Sequence, residues 1–309
     1  MKICENILEM VGNTPLLKIP KINFETGAEV YLKMESNNPT FSVKDRLAKA
    51  MIEDAEARGV INKDSIIIEP SSGNTGIGLA MVCAVKSYKL IITMPENMSI
   101  ERRMLMTALG AEVVLTPAHK GMNGAIDKAN ELAFAFNGFI PMQFENVSNV
   151  EMHMKTTAME IWNDTQGEID ALVTGVGTGG TFTGVSKALK LKKSNFKSIA
   201  VEPENSPVLS GGNAGLHKIQ GIGAGFVPKV LELSLIDDVV RVSNKNAIKM
   251  AHRLMKEEGI LCGISSGANV YAAIEVAKRN EFKNKKIVTF VCDSAERYLS
   301  TVLFNESTL

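Results

Sequence analysis

Four short segments, far apart in the chain, hold residue types that could bind anions beside a reactive amine. They are Ser42-Val43-Lys44-Asp45-Arg46, Ser71-Ser72-Gly73-Asn74-Thr75-Gly76, Gly177-Thr178-Gly179-Gly180-Thr181 and Gly263-Ile264-Ser265-Ser266-Gly267. Lys44 opens a helical pattern running from Val43 to Arg58, where the helix dipole disfavours a cation and draws its pKa down. An amine so placed is a candidate Schiff-base nucleophile. Ser71 to Gly76 gathers hydroxyls, an amide and backbone donors at a helix N-terminus, which suits a carboxylate. In Gly177 to Thr181, glycines let N–H groups turn inward beside two threonine hydroxyls at another helix start, the makings of a phosphate cup.

Each segment also has a plainer reading. Lys44 alone could be a solvated first-turn lysine, Ser71 to Gly76 an N-cap with extra polar residues, and Ser265-Ser266 the common cap of a helix beginning at Ala268. Gly175, Gly177 and Gly180 match G-x-G-x-x-G, with Glu202 ending the next strand, which is the letter of a dinucleotide fingerprint. Such a fingerprint normally opens the first βαβ unit of its domain, and this one lies past the midpoint of the chain. Taken together, an amine, a phosphate cup and a carboxylate grip point to pyridoxal phosphate.

Those segments need a scaffold, and the pattern around them is α/β. Short runs rich in β-branched residues alternate with segments of helical period, as in parallel sheets covered by helices. Strands are expected at Ile66 to Glu69, Leu90 to Met94, Glu112 to Thr116, Ile140 to Phe144, Ala171 to Thr174, Ser198 to Glu202, Val239 to Val242 and Ile287 to Val291. Helices are expected at Val43 to Arg58, Asn74 to Lys86, Ile100 to Leu109, Ala125 to Phe136, Glu151 to Asn163, Phe182 to Lys192, Asn246 to Glu258 and Ala268 to Lys278. Junctions such as Glu69-Pro70-Ser71-Ser72 end a strand and begin a helix, and ligands of open α/β sheets collect at such carboxyl ends. Ser210 to Gly215 reads as a mobile surface loop.

At 309 residues the chain exceeds the usual single core, so two lobes are expected. Its 34 basic and 34 acidic residues balance, with no Lys/Arg-rich block, which argues against a nucleic-acid partner and for small substrates. The apolar stretch Gly76 to Val85 is too short to cross a bilayer, and MKICENILEM lacks a signal-peptide profile, so no membrane association and a cytoplasmic location are expected. Cys4, Cys83, Cys262 and Cys292 form no C-x-x-C pair, and the four histidines are scattered, so reduced thiols and no metal are expected. Cys262 and Cys292 read as small buried hydrophobes.

The four segments, with Gly12-Asn13-Thr14-Pro15-Leu16, Met94-Pro95-Glu96, Ser99 to Arg103, His217 to Phe226 and Glu296 to Thr301, resemble the cysteine synthase (O-acetylserine sulfhydrylase) family of β-type pyridoxal-phosphate enzymes. The similarity runs in order from about residue 6 to residue 304. It implies a two-lobed fold type II architecture similar to the tryptophan synthase β chain, each lobe a mostly parallel twisted sheet flanked by helices. Residues 41–144 would form a smaller mobile lobe carrying the carboxylate loop, and residues 1–40 and 145–309 a larger lobe carrying the phosphate cup.

Carried onto matching positions, the resemblance makes Lys44 the Schiff-base lysine and proton carrier. Gly177, Thr178, Gly179, Gly180 and Thr181 become the phosphate cup, Asn74 a partner of the ring hydroxyl and Ser265 the partner of the pyridine nitrogen. Ser71, Ser72, Gly73, Asn74 and Thr75 would hold the substrate carboxylate, helped by Gln143 from the end of the strand Ile140 to Phe144. A neutral serine at the ring nitrogen makes a weaker electron sink than an aspartate, which suits β-elimination. The implied activity is β-replacement on a serine-derived amino acid by a sulfur nucleophile, first of all O-acetyl-L-serine and sulfide giving L-cysteine and acetate. The alternative uses L-cysteine as first substrate, releasing hydrogen sulfide and forming L-lanthionine or L-serine. A nicotinamide-dependent dehydrogenase would leave Lys44 and Asn74 without roles, and a silent scaffold would be expected to lack Lys44, which is present. The resemblance also implies a homodimer and, in some members, binding of the serine acetyltransferase C-terminus.

The chain departs from the family pattern at Val147 (usually Pro), at Ala158-Met159 (usually Gly-Pro), and at Ala214-Gly215-Leu216 (usually Pro-Gly-Pro). It departs again at Cys262 (usually a smaller residue), Cys292 (usually Pro) and Ala295 (usually Gly). None of these falls in the proposed cradles; they bear on the leaving group and nucleophile.

Overall fold

Runs of β-branched residues pair into two sheets whose helices lie between successive strands. The computed structural model describes residues 3–304. Among those residues the strands are β1 (Leu16–Lys18), β2 (Glu29–Met34), β3 (Ile66–Pro70), β4 (Lys89–Pro95), β5 (Glu112–Thr116), β6 (Ala171–Gly175), β7 (Lys197–Pro203), β8 (Asp238–Val242) and β9 (Lys286–Val291). The helices are α1 (Pro20–Asn23), α2 (Lys44–Ala57), α3 (Asn74–Lys86), α4 (Ile100–Ala108), α5 (Gly121–Phe136), α6 (Val147–Lys155), α7 (Thr157–Asp164), α8 (Gly180–Lys192), α9 (Asn244–Glu258) and α10 (Ile264–Ala277).

One sheet has six strands in the order β1-β2-β9-β6-β7-β8, parallel except for the antiparallel edge strand β1. The other has three parallel strands, β3-β4-β5. Strands buried on both faces read as continuous apolar runs, as in Ile66-Ile67-Ile68 and Leu90-Ile91-Ile92. The six-stranded sheet packs one face on α9 and α10 around Val173, Val201, Ala268 and Ala272, and the other on α7 and α8 around Ile161, Leu172, Phe182 and Phe196. The three-stranded sheet packs on α2 and α3 through Leu47, Met51, Ile67, Ile77 and Ile92. Pro70, Pro95 and Pro203 are each the last residue of a strand, where a missing N–H ends the ladder. Among the described residues no helix is long and apolar enough to cross a membrane.

Several expectations need correction. Ile140 to Phe144 is not a strand: Phe139 alone bridges to Ile67, Pro141 has no N–H to give, and Met142 at φ 59° turns the chain away. The helix expected over Glu151 to Asn163 is broken at Thr156, where φ −116° and ψ −75° separate α6 from α7. Helix α10 starts at Ile264, so Ser265 and Ser266 lie inside its first turn and are not caps ahead of Ala268. Strands β1 and β2 were not expected; Glu29-Val30-Tyr31-Leu32-Lys33-Met34 alternates too weakly to stand out, since Lys33 is fully buried and ion-paired.

Candidate active site

Carboxyl ends of strands lead directly into two of the four segments and lie beside the other two. The chain leaves β3 into Ser71 to Gly73, β6 into Val176 to Gly179, and β9 into Cys292 and Asp293. Helices α2, α3, α8 and α10 follow or adjoin these ends, and in none of the four does the N-cap residue's own side chain bond the first turn. Uncapped helix starts leave N–H groups and partial positive charge available to anions.

A closed circuit of contacts joins the segments. The Val43 N–H donates to the Cys292 carbonyl at 2.8 Å, bringing the start of α2 against the end of β9. The Asn74 Nδ2 donates to Asp293 Oδ2 at 2.7 Å. Thr75 Oγ1 donates to Gln143 Oε1 at 2.7 Å, and Asn149 Nδ2 donates both to the Gln143 carbonyl at 3.2 Å and to Thr178 Oγ1 at 3.0 Å. The Gly175 N–H donates to Asn269 Oδ1 at 2.7 Å, and Asn269 Nδ2 donates to Cys292 Sγ at 3.2 Å, returning to β9. The Cys292 N–H donates to Ser266 Oγ at 2.9 Å, tying the start of α10 to the same place. All the expected segments therefore border one region.

Their individual placements follow from this circuit. Lys44 is the first residue of α2; burial lowers its pKa, with Asp293 and Glu35 acting in the opposite sense. Lys44 is half-buried, against the plain reading of a fully solvated first-turn lysine. Ser71 is buried and its Oγ accepts the Gly76 N–H at 3.0 Å, so it shapes the turn as well as bordering it. Ser72, Gly73 and Asn74 are half-buried, and the space a side chain on Gly73 would occupy is open. Gln143 is buried in the turn after Met142; the carboxyl of Glu69, pushed by burial up to about 7, accepts the neighbouring Met142 N–H at 3.2 Å.

The cup residues fit a phosphate. A side chain on Gly177 would overlap the Gly221 carbonyl, and Gly179 at φ +89° sits where L side chains are strained, so the turn holds its N–H groups close against the start of α8. Thr178 and Thr181 hydroxyls flank that turn, and Ser265 stands near Gly221 on the far side. A dianionic phosphate matches these donors, an amine depressed by burial matches an aldehyde, and neutral Ser265 matches a ring nitrogen. The residues present therefore fit pyridoxal phosphate. They do not fit a dinucleotide, because the Glu202 carboxylate is buried and already accepts the N–H groups of Leu209 and Ser210 at 2.7 and 3.1 Å.

Some residues of this region escaped sequence reasoning. His153 is buried, its Nε2 lies 3.0 Å from Thr181 Oγ1 and its Nδ1 2.9 Å from Thr157 Oγ1. Burial, then the charges of Arg46 and Lys44, hold its pKa well below the usual value, so the ring is neutral. Asn149, Asn269 and Asp293 were likewise unmarked, and Arg297 lay in a recognised segment without a role; Asp293 and Arg297 could have been flagged as charges just past a strand end. Cys292 is partly exposed and hydrogen-bonded, not a plain apolar filler, and burial pushes its thiol up to about 12.

Comparison with known proteins agrees with this chemistry. The profile of the pyridoxal-phosphate dependent enzyme family matches residues 7–293. A cysteine synthase of Staphylococcus aureus is 52% identical over 305 residues, 98% of each chain. The crystal structure of a cysteine synthase from Entamoeba histolytica superposes with a TM-score of 0.95 at 44% identity, over 98% of this chain and 91% of that one. A hydrogen sulfide-producing enzyme from Fusobacterium nucleatum superposes with a TM-score of 0.93 at 48% identity, over 97% and 99%. Matched over nearly its whole length to such relatives, this chain belongs to the pyridoxal-phosphate dependent enzyme family.

Proposed function

We propose that the protein carries out β-replacement on a serine-derived amino acid, joining O-acetyl-L-serine and sulfide to give L-cysteine and acetate. The observation that supports this reading is the hydrogen-bond circuit that brings the start of α2, where Lys44 lies, together with the loop before α3 and the turn before α8. Full-length similarity to cysteine synthases supports the choice of substrates.

When bound, pyridoxal phosphate supplies an electron sink for the bonds at the substrate Cα. The backbone of Gly177 to Thr181 and the two threonine hydroxyls would hold its phosphate, Ser265 would face its ring nitrogen and Asn74 its ring oxygen. Ser71, Ser72, Gly73, Asn74 and Thr75 bind the substrate carboxylate at the start of α3, with Gln143 held beside them by Thr75. Lys44, its pKa lowered by burial, takes the Cα proton as acetate leaves Cβ and returns it once sulfide has added there. Residues 41–144 act as the smaller lobe. Its contacts to the rest, Arg102 Nη1 to Gln220 Oε1 at 2.6 Å and Ser300 N to Glu101 Oε1 at 2.8 Å, support closure over the substrate and exclusion of water.

The protein works in the cytoplasm, a reading supported by four unpaired cysteines. It forms a homodimer, and the carboxylate cradle would accept the C-terminal carboxylate of serine acetyltransferase in competition with substrate. A second reading, release of hydrogen sulfide from L-cysteine with formation of L-lanthionine or L-serine, is favoured by the likeness to the Fusobacterium enzyme. Product analysis of the purified, cofactor-loaded protein tests both. L-Cysteine formed from O-acetyl-L-serine and sulfide supports the first reading. Sulfide evolved faster from L-cysteine alone supports the second, and inertness toward both substrates refutes β-replacement.

A further inference from the structure

Both ends of the Asn74 side-chain amide are gripped by the segment that follows β9. Nδ2 donates to Asp293 Oδ2 at 2.7 Å, and Oδ1 accepts from Arg297 Nη1 at 2.6 Å. A guanidinium only donates and a carboxylate only accepts, so turning the amide over would set donor against donor and oxygen against oxygen. The grip is itself braced. Asp293 Oδ2 also accepts from Tyr298 Oη at 2.6 Å, Arg297 Nη2 donates to the Thr40 carbonyl at 2.7 Å, and the Arg102 guanidinium lies 5.0 Å from the Tyr298 ring centre. Asp293 and Arg297 are 1% and 3% exposed, so these contacts are made away from solvent screening.

Resting on the reading that Asn74 meets the ring oxygen of the cofactor, we propose that Asp293 and Arg297 are positioning residues that fix Asn74 as a hydrogen-bond donor to that oxygen. They thereby set which tautomer of the lysine-linked cofactor the protein holds. One Nδ2 proton is engaged by Asp293, which leaves the other for the cofactor. The Asn74 oxygen, already drawn upon by a guanidinium, is a poor acceptor for a further donor, while the same contact polarises the amide and strengthens its free N–H. A ring oxygen facing a donor is held without its proton, and the proton resides on the nitrogen joined to Lys44. That form absorbs in the visible; the form protonated on oxygen absorbs in the near ultraviolet.

The test is the ratio of near-ultraviolet to visible absorbance of the bound cofactor in wild type, in the double variant Asp293→Asn with Arg297→Leu, and in Arg297→Lys. Releasing both ends of the amide is expected to raise the ratio about tenfold, the effect of one charge-assisted hydrogen bond. Arg297→Lys, which keeps a cationic donor, is expected to return the ratio to the wild-type side. An unchanged ratio in the double variant overturns the proposal, as does loss of bound cofactor with the ratio preserved, which is the mark of a merely structural role. Should the double variant not fold, the single variant Arg297→Leu is read in the same way: a raised near-ultraviolet share supports the clamp, and an unchanged ratio overturns it. A wild type with no cofactor band at all refutes the underlying reading, whereas a band with an unaltered ratio in the variant refutes the clamp alone.

Discussion

Replacing Glu160 by glutamine tests how the helix that carries Lys44 is held. Arg46, two residues beyond Lys44 on α2, donates to Glu160 Oε1 and Oε2 at 2.7 and 2.6 Å and to Glu35 at 2.7 and 2.9 Å. Lys33, fully buried on β2, lies 2.8 Å from Glu160 Oε2. Burial pushes the Glu160 carboxyl up, but the hydrogen bonds and charges of Arg46 and Lys33 outweigh it and bring it from 4.5 down to about 2. A displacement of that size is worth about 3 kcal/mol at neutral pH. The Glu160 side chain keeps 13% of its surface in solvent, and screening there lowers the figure to about 2 kcal/mol. Because the folded-state value is depressed, this stability is present above the unfolded value of 4.5 and is lost as pH falls toward about 2. Urea unfolding followed through Trp162, the only tryptophan, is expected to show Glu160→Gln less stable by about 2–3 kcal/mol at neutral pH, the larger figure reflecting buried cations left short of a partner. The gap should close steadily on acidification through that window. A difference under about 0.5 kcal/mol at neutral pH, or one indifferent to pH, would show that the Arg46 cluster does not brace α2 as argued.

Lys44→Ala is expected to lose turnover by at least about a thousandfold and to lose the visible cofactor band while its circular dichroism stays native; retained turnover would refute the lysine assignment. Gly177→Ala pushes a methyl group into the Gly221 carbonyl and is expected to weaken cofactor affinity about tenfold or more, measured by titrating apoprotein with pyridoxal phosphate. Unchanged affinity would mean that the cup lies elsewhere. Glu202→Ala removes the acceptor for the Leu209 and Ser210 N–H groups and is expected to cost about 1–3 kcal/mol in urea unfolding with cofactor affinity intact. A drop in cofactor affinity there would revive a nucleotide role for Glu202.

Where a segment's conformation follows from nearby residues, the chain could be read directly. Helix α3 begins at Asn74 and ends at Lys86 as its apolar pattern and flanking glycine and serine indicate. Helix α8 ends at Lys192 as expected but begins at Gly180, two residues ahead of the expected Phe182. The segment at Gln143 could not be read this way: Ile140-Pro141-Met142-Gln143-Phe144 has strand composition, yet proline and a left-handed Met142 make a turn that only the packing of Gln143 against Thr75 explains. The roles of His153 and Asp293 were harder to read for another reason. Their partners are supplied by residues far away in the chain, Thr181 and Arg46 for one, Asn74 for the other.

Residue chemistry and local spacing were enough to name the parts: an amine at a helix start, hydroxyls and N–H groups for a carboxylate, a glycine turn for a phosphate, and an α/β scaffold to carry them. Those properties depend on backbone conformation and side-chain type within a few residues, which the chain states locally. Tertiary structure alone decided that Lys44 is half-buried, that Glu202 is occupied by its own loop, that Cys292 meets Ser266 and Asn269, and that Asn74 is held from both sides. Burial and hydrogen-bond partnership are set by segments hundreds of residues apart meeting at the ends of two sheets, as when Asn74 meets Asp293. No local rule contains the distance between them.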